Sequence, residues 1–451
     1  MSLRKYVAHY RDNLKLAIPV VISQAGQTLT NVADNVMIGH YNTLSLSAAA
    51  FVNSVFVIFL VLGIGFSIGL TPLVGQAFGQ QKYEDTGHLL KHSLLLNVVL
   101  SLIVLIILNN STPLLYHLGQ EAEVVTTGIT YFKVLNWSML PIMVFFTFKQ
   151  FAEGVSSTKP AMVMTLISNG LNVFLNYLLI YGNWGFPELG LDGAGYATLT
   201  ARIAMALGMA YYTMSSKRFR AFLNTFFDLS YVWSTFKSIL KISFPISMQF
   251  VMEVAAFAIG AIMVGKIGKT EIAAHQIAIG MASVTFMIAS GVASAVTIRT
   301  SNQLGAGKIG EARLLTWSAL HIIILFMCMT SVVFMLGNRL IPSLHTPDEA
   351  VIRIAAPMMI VAAFFQLVDG IQVVTFGALR GISDVKIPTI IAFFAYWVIA
   401  LPAGYIMAFY LGFNELGIWY GFLLGLSTAA ILLTIRFHFA TRGKQKNLIA
   451  S

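Results

Sequence analysis

Twelve long apolar stretches dictate what this chain can fold into before any motif is considered. They lie at about 14–38, 46–71, 89–110, 126–150, 160–182, 194–214, 236–262, 272–298, 313–336, 350–376, 388–411 and 417–438. A helix needs about twenty predominantly apolar residues to cross the hydrocarbon core of a bilayer, and each stretch is of that order. The fifth and sixth are the least clean. Strands of a membrane barrel would be short and alternating, whereas these runs are long and continuous. The expected fold is therefore an all-α polytopic membrane protein of twelve transmembrane helices. Composition agrees, because only 10% of the 451 residues are charged, against about 25% in a soluble domain. The basic N-terminus resembles a signal peptide, but no small-residue cleavage site follows it, so the first helix is expected to be retained.

The net charge of +10 could point to nucleic acid. Its distribution points instead to loops on the cytoplasmic side. Arg4, Lys5, Arg11 and Lys15 precede or begin the first helix, Lys82, Lys91, Lys149 and Lys159 fall at the second and fourth turns, and Lys217, Arg218, Arg220, Lys237 and Lys241 surround the central connection. Arg299, Lys308, Arg313, Arg380 and Lys386 follow on the same side, and Arg436, Arg442, Lys444 and Lys446 form a basic tail. The opposite loops hold little beyond Lys266, Lys269 and Arg339. The positive-inside rule then puts both termini in the cytoplasm. Cys328, the single cysteine, rules out an intramolecular disulfide and is expected to act as small apolar filler.

The chain also repeats itself at an offset of about 226 residues. LKLAIP ending at Pro19 returns as LKISFP ending at Pro245, Met37–Gly39 as Met263–Gly265, and GFPELG at Gly185–Gly190 as GFNELG at Gly412–Gly417. Gly154 and Pro160 are echoed by Gly381 and Pro388. Each half holds six spans, so both copies enter the membrane in the same direction, as in parallel-repeat transporters. The expected organisation is an N-lobe at 1–214, a cytoplasmic linker at 215–235 and a C-lobe at 236–451 with the tail. The linker mixes basic and aromatic residues, as a segment lying on the inner leaflet would; a simple tether is the plainer reading. The prolines Pro19 and Pro245 each remove a helical hydrogen bond and allow a bend or a fixed kink.

Most of the eighteen acidic residues fall in loops, at helix ends or beside turns, Glu153 among them. Three do not: Asp34, Glu253 and Asp369. A charge deep in a bilayer costs from about 3 to over 10 kcal/mol, so such residues usually serve a pathway or relay. The alternative is a carboxyl kept protonated and hydrogen-bonded inside a bundle. Each has polar company at helical spacing: Gln24, Gln27 and Asn31 before Asp34, Gln249 before Glu253, and Gln366 and Gln372 flanking Asp369. A stripe of this kind faces a cavity or the bundle interior, although hydrogen-bond glue between helices explains single members. Asn172 and Asn176, four apart, could join Asp34 and Thr198 in an all-oxygen set suited to a hard cation.

Other chemistry finds little support. His88 and His92 have metal-ligand spacing without a third ligand, so a solvated cytoplasmic face is the expectation. No G-x-x-x-x-G-K-[ST] loop is present to bind ATP, and no cofactor is expected. No paired-aspartate or Ser/His/Asp arrangement marks an intramembrane enzyme. Aromatic and methionine side chains could line a cavity for apolar cations.

DNVMIGH around Asp34, VGQAFGQ after the second helix, AAHQIA at Ala273–Ala278 and QLVDGIQVVTFGALRGISD at Gln366–Asp384 together resemble the multidrug and toxic compound extrusion (MATE) transporters, in their NorM-like bacterial branch. The resemblance covers essentially the whole chain. It implies an antiporter that expels organic cations, driven by sodium or proton entry, in a bacterial inner membrane. It also implies that Glu253 and Asp369 bind the coupling ion in the C-lobe and that Asp34 acts in the N-lobe, with Asn172, Asn176, Ala194 and Thr198 as its partners. Gln276 falls where a cavity residue is expected. One departure is Phe365, at a position where the family often has tyrosine, which removes an oxygen near Asp369. A lipid or lipid-linked sugar flippase of the same architecture is the second reading, and an intramembrane enzyme a distant third. Organic-cation drugs and membrane lipid are the expected partners of a monomer, with no role for nucleic acid. The orientation is checked in a Cys328→Ser background: an impermeant maleimide applied to intact cells should label Gly119→Cys and spare Gln81→Cys, and the reverse pattern would invert the topology.

Overall fold

In hydrocarbon every backbone N–H and C=O must find a partner within the protein, which helices achieve locally. The computed structural model follows that rule. It describes residues 4–228 and 230–450, with side chains described from Lys5 to Arg442 apart from residue 229; the tail lysines Lys444 and Lys446 thus lie outside the described side chains. Among the described residues the regular structure is helical throughout. The long helices are α1 (Arg4–Tyr41), α2 (Thr43–Gly79), α3 (Tyr83–Asn110), α4 (Ala122–Gly154), α5 (Lys159–Leu179) and α6 (Gly190–Ser215). They continue as α7 (Trp233–Ile267), α8 (Lys269–Gly305), α9 (Ile309–Leu336), α10 (Glu349–Gly381), α11 (Lys386–Tyr410) and α12 (Asn414–Ala450).

Each helix coincides with one of the twelve apolar stretches. Ten are long and apolar enough to cross a membrane; α1 and α6 complete the twelve. The shortfall has a cause in each case. In α1 the stripe Gln24, Gln27, Asn31 and Asp34 dilutes the apolar run, and α6 carries Asp192 and Arg202 among small residues. The fifth helix, expected to be among the least clean, meets the criterion.

The chain forms two compact units. One is Ile22–Ser247; the other joins the residues before Ile22 to those after Ser247. Both crossing points fall two residues after a proline inside a helix, Pro19 in α1 and Pro245 in α7. Side-chain bonds account for the membership. The start of α1 is held by Asn13, whose Nδ2 donates to Leu315 O at 3.0 Å while its Oδ1 accepts from Arg299 at 2.6 Å. The start of α7 is held by Ser247, whose hydroxyl donates to Leu62 O at 2.5 Å. Gly69 meanwhile lies so close to Ser243 that a Cβ would meet its Cα at 2.7 Å.

The sequence repeat is repeated in the packing. In Ile22–Ser247, Gly154 lies against Val74 and Thr71 O, and Thr71 donates to Gln150 Oε1 at 2.6 Å. In the other unit Gly381 lies against Thr300 and Thr297 O, and Thr297 donates to Gly377 O at 2.9 Å. Small residues let helix backbones approach closely in membranes. Both units use this device at matching positions.

Three local expectations change. His92 is not on a solvated face: it is fully buried. Its Nε2 accepts from Val232 N–H at 2.9 Å and its Nδ1 donates to His88 O at 2.6 Å, which fixes the neutral tautomer. Lys91 donates to the carbonyls of Asp228 and Ser230 and lies over the Tyr231 ring. Thr86 bonds Phe222 O at 2.9 Å, so the linker is fastened along α3 rather than loosely tethered, while Phe227 and Trp233 remain exposed. Glu153 falls beside a turn as expected, in the last turn of α4, and is 3% exposed with Lys149 at 3.8 Å. Cys328 is exposed on α9, not packed as filler.

Gly377 tests the close packing. A Cβ there would meet Ala293 O at 2.5 Å, and backbone cannot move aside cheaply. Gly377→Val should lower stability by about 1–3 kcal/mol, read as a lower melting temperature in detergent. Gly310→Ala, with open space around it, should leave the melting temperature unchanged.

Candidate functional site

Each unit holds its own polar cluster around membrane-embedded acids, of which Asp34 and Glu253 are half-buried and Asp369 is buried. In Ile22–Ser247 the cluster grows from Asp34 on α1. Asp34 Oδ1 accepts from Asn176 Nδ2 at 2.5 Å, and the same nitrogen reaches Asn172 Oδ1 at 3.4 Å. Asn172 Nδ2 in turn donates to Thr198 Oγ1 at 3.3 Å. Asn172 and Asn176 face inward because four-residue spacing places them on one side of α5. Ala194, one turn before Thr198 on α6, is buried. The structure thus brings together Asp34, Asn172, Asn176 and Thr198. Because both partners of Asn176 Nδ2 are oxygens, nitrogen and not oxygen is turned toward the carboxylate.

Two further groups belong to this cluster. Arg202, one turn beyond Thr198, interacts electrostatically with Asp34 and with Tyr131. Its Nη1 donates to Ser138 Oγ at 2.6 Å and its guanidinium lies 5.4 Å from the Phe56 ring centroid. Tyr131 donates to Asn53 Oδ1 at 3.4 Å. Gln24 and Gln27 are half-buried on α1, whereas Asn31 is exposed.

In the other unit Glu253 and Asp369 come together. Tyr396 on α11 donates to Glu253 Oε1 at 3.0 Å and accepts from Gln372 Nε2 at 2.5 Å. Asp369, three residues before Gln372 on α10, is 4% exposed and within electrostatic reach of Glu253. Gln372 Oε1 is buried without a hydrogen-bond partner. The remaining glutamines do other work: Gln366 donates to Ser331 Oγ at 3.3 Å, and Gln249 accepts from Arg380 at 3.1 Å. The Arg380 guanidinium lies between the Phe250 and Phe376 rings, at 4.8 and 5.7 Å. Gln276 is exposed on α8 and takes no part in these bonds. Phe365 is buried against Phe257 and Trp419, and the phenol oxygen it lacks is supplied to Glu253 by Tyr396.

Tyr396 sits in a π-helical stretch, Phe394–Ala400. One extra residue per turn re-aims side chains, and such stretches recur at functional sites. The asymmetry between units also has a steric origin. At the repeat offset Asp34 corresponds to Gly260, and a Cβ at Gly260 would meet Phe422 Cζ at 2.2 Å. The second unit fills with a phenyl ring the place where the first holds its acid.

Chemically, the second cluster offers two carboxylates, a phenol oxygen and an unpartnered amide oxygen, a set that suits a hard cation or protons. Among the described residues neither Glu253 nor Asp369 forms an ion pair with Lys or Arg. The MatE family model matches residues 19–178 and 245–406, one match in each half of the repeat. This chain belongs to the MATE family.

Its relatives within that family include the probable multidrug resistance protein NorM of Xylella fastidiosa, 33% identical over 96% of this chain and 93% of the relative. The protein of the same description from Idiomarina loihiensis is 32% identical over 95% and 94%. Among solved structures, an outward-facing multidrug resistance MATE family transporter of the MOP superfamily superposes with a TM-score of 0.89 over 97% of both chains at 23% identity. The eukaryotic MATE transporter AtDTX14 gives 0.88 over 98% and 100% at 18%. The fold is that of the MATE transporters, a family of membrane carriers and not of enzymes, which removes the intramembrane-enzyme reading.

Sequence reasoning missed Tyr396, Arg202 and Arg380 as members of these clusters. Arg202 carried a visible signal, a cation within the stretch 194–214. Tyr396 carried none, because buried tyrosines are common and only the π-helical register turns this one toward Glu253. Tyr396→Phe removes the donor to Glu253 and the acceptor for Gln372 at once. With its other end already unpartnered, Gln372 should make the variant less stable by about 1–3 kcal/mol, read by thermal melting beside Tyr405→Phe, whose ring is exposed.

Proposed function

We propose that this protein is a multidrug efflux transporter of the bacterial inner membrane that exports organic cations in exchange for an entering cation, sodium or proton. The observation that carries this reading is the pair formed by half-buried Glu253 and buried Asp369 in one membrane-embedded unit, with no cationic side chain bonded to either. Two carboxylates in a low dielectric cannot both stay ionised without a compensating cation. An organic cation, a sodium ion and protons are therefore competing ways of neutralising one site, and competition for one site is the simplest coupling of two fluxes.

In this mechanism Glu253 and Asp369 carry the ion or proton, and Tyr396 with Gln372 orients Glu253. Gln249 and Gln366 position neighbouring groups, and Gln276, Gln24, Gln27 and Asn31 line the path of the drug. Asp34, with Asn172, Asn176, Ala194 and Thr198, forms a second coupling site. The lobes at 1–214 and 236–451 alternate access, with bending at Pro19 and Pro245. The membrane potential contributes about 2.3 kcal/mol per charge per 100 mV to cation entry, which corresponds to more than tenfold accumulation per ion. The names of the NorM relatives support multidrug resistance as the physiological outcome. A flippase for pyrophosphate-linked lipids would call for a cationic cavity, and the paired acids of this cluster argue against one.

Asp369→Asn should reduce ethidium efflux at least tenfold from cells or proteoliposomes while expression and melting temperature are kept. Unchanged efflux would sink the reading. Imposing sodium and pH gradients separately on the wild-type protein identifies the driving ion.

A further inference from the structure

The clasp that fastens the linker to α3 depends on one histidine in one protonation state. All its members lie in the unit Ile22–Ser247. The His92 ring is fully buried, with Nδ1 donating to His88 O and Nε2 accepting from Val232 N–H. One nitrogen is committed as donor and the other as acceptor, which only the neutral imidazole allows. The groups around the ring are cationic or neutral. On its own helix stand His88, 6.3 Å away between ring centroids, and Lys91, whose ammonium is held by the carbonyls of Asp228 and Ser230 over the Tyr231 ring. From the linker comes the Tyr231 ring at 5.5 Å, and from the first turn of α7 the Phe236 ring at 4.5 Å. The acids of this region are turned elsewhere. Glu84 and Asp85, in the first turn of α3, are exposed, and the exposed Asp228 carboxylate accepts from Ser230 N–H and Oγ. Among the described residues no carboxylate pairs with His92.

We propose that His92 is a proton-sensitive latch that frees the linker from α3 when the cytoplasmic side turns acidic. A second proton turns the acceptor Nε2 into a donor facing the Val232 N–H. It also places an imidazolium in a buried position beside the Lys91 ammonium, with no carboxylate to offset the cost. Once the clasp opens, the ring takes up its proton near the ordinary value of about 6.5. Proton binding therefore favours the open clasp. The latch is closed above that pH and weakens as the pH falls below it. Because Phe236 belongs to the first turn of α7, the same event loosens the start of the helix that runs on to Glu253. The latch requires no particular coupling ion and stands apart from the transport reading.

The test is hydrogen–deuterium exchange of the full-length protein in nanodiscs at about pH 7.5 and about pH 5.5, read as protection relative to the intrinsic rate at each pH. In wild type, peptides covering 222–236 should lose about tenfold in protection on acidification, the factor set by a group that titrates one unit above the lower pH. His92→Gln offers an amide oxygen to the same N–H and takes up no proton, so it should stay protected at both values. His92→Leu removes the acceptor and should be unprotected at both. Wild-type protection unchanged by acid overturns the inference, as does a variant that loses as much as wild type on acidification; if one variant fails to fold, the other still decides. Ethidium efflux should respond less to inner pH in His92→Gln than in wild type, and equal responses overturn the regulatory role.

Discussion

A polar group inside a bilayer has no water to fall back on, and most of this structure follows from that constraint. It forces the backbone into helices, because only a helix satisfies its own N–H and C=O groups without a neighbour. It also makes each buried side-chain charge an event that requires explanation. The packing answers the backbone half of the problem through glycine and threonine contacts repeated in both units: Gly154 with Thr71, and Gly381 with Thr297. The side-chain half is answered twice and differently, by a single carboxylate at Asp34 and by the pair Glu253 and Asp369.

That difference is written into sterics as well as charge. Duplication would place an acid at the counterpart of Asp34 in the second half, but Gly260 and the Phe422 ring leave no space for one. At the counterpart of Glu253 the first half has Gln27 on α1. The scaffold is duplicated, and the chemistry is divided between the copies.

The sequence made the fold legible because the signal for a membrane helix is long and redundant: twenty apolar residues survive many substitutions. All twelve helices lie where the hydropathy places them, and polar dilution explains why α1 and α6 are the weakest. The three acids were equally visible, since a charge in an apolar run stands out. What stayed hidden depends on distance across helices. Tyr396 reaches Glu253 from 143 residues away along the chain, through a π-helical register that no spacing rule anticipates. His92 looked solvated because its own helix end is polar, and only the linker folding back over it buries the ring. Glu153 sits beside its turn, and nothing in the sequence signals that the residue there is covered.

The fastened linker carries one more consequence. A connector joining two duplicated halves is ordinarily a leash whose length sets how far the halves can wander. Here the segment from Phe222 to Val232 is bonded to Thr86, Lys91 and His92, and the start of α7 continues in the same unit as far as Ser247. A chain cut near Asn224 would therefore keep its downstream end docked, because Lys91 and His92 grip the backbone of Asp228, Ser230 and Val232.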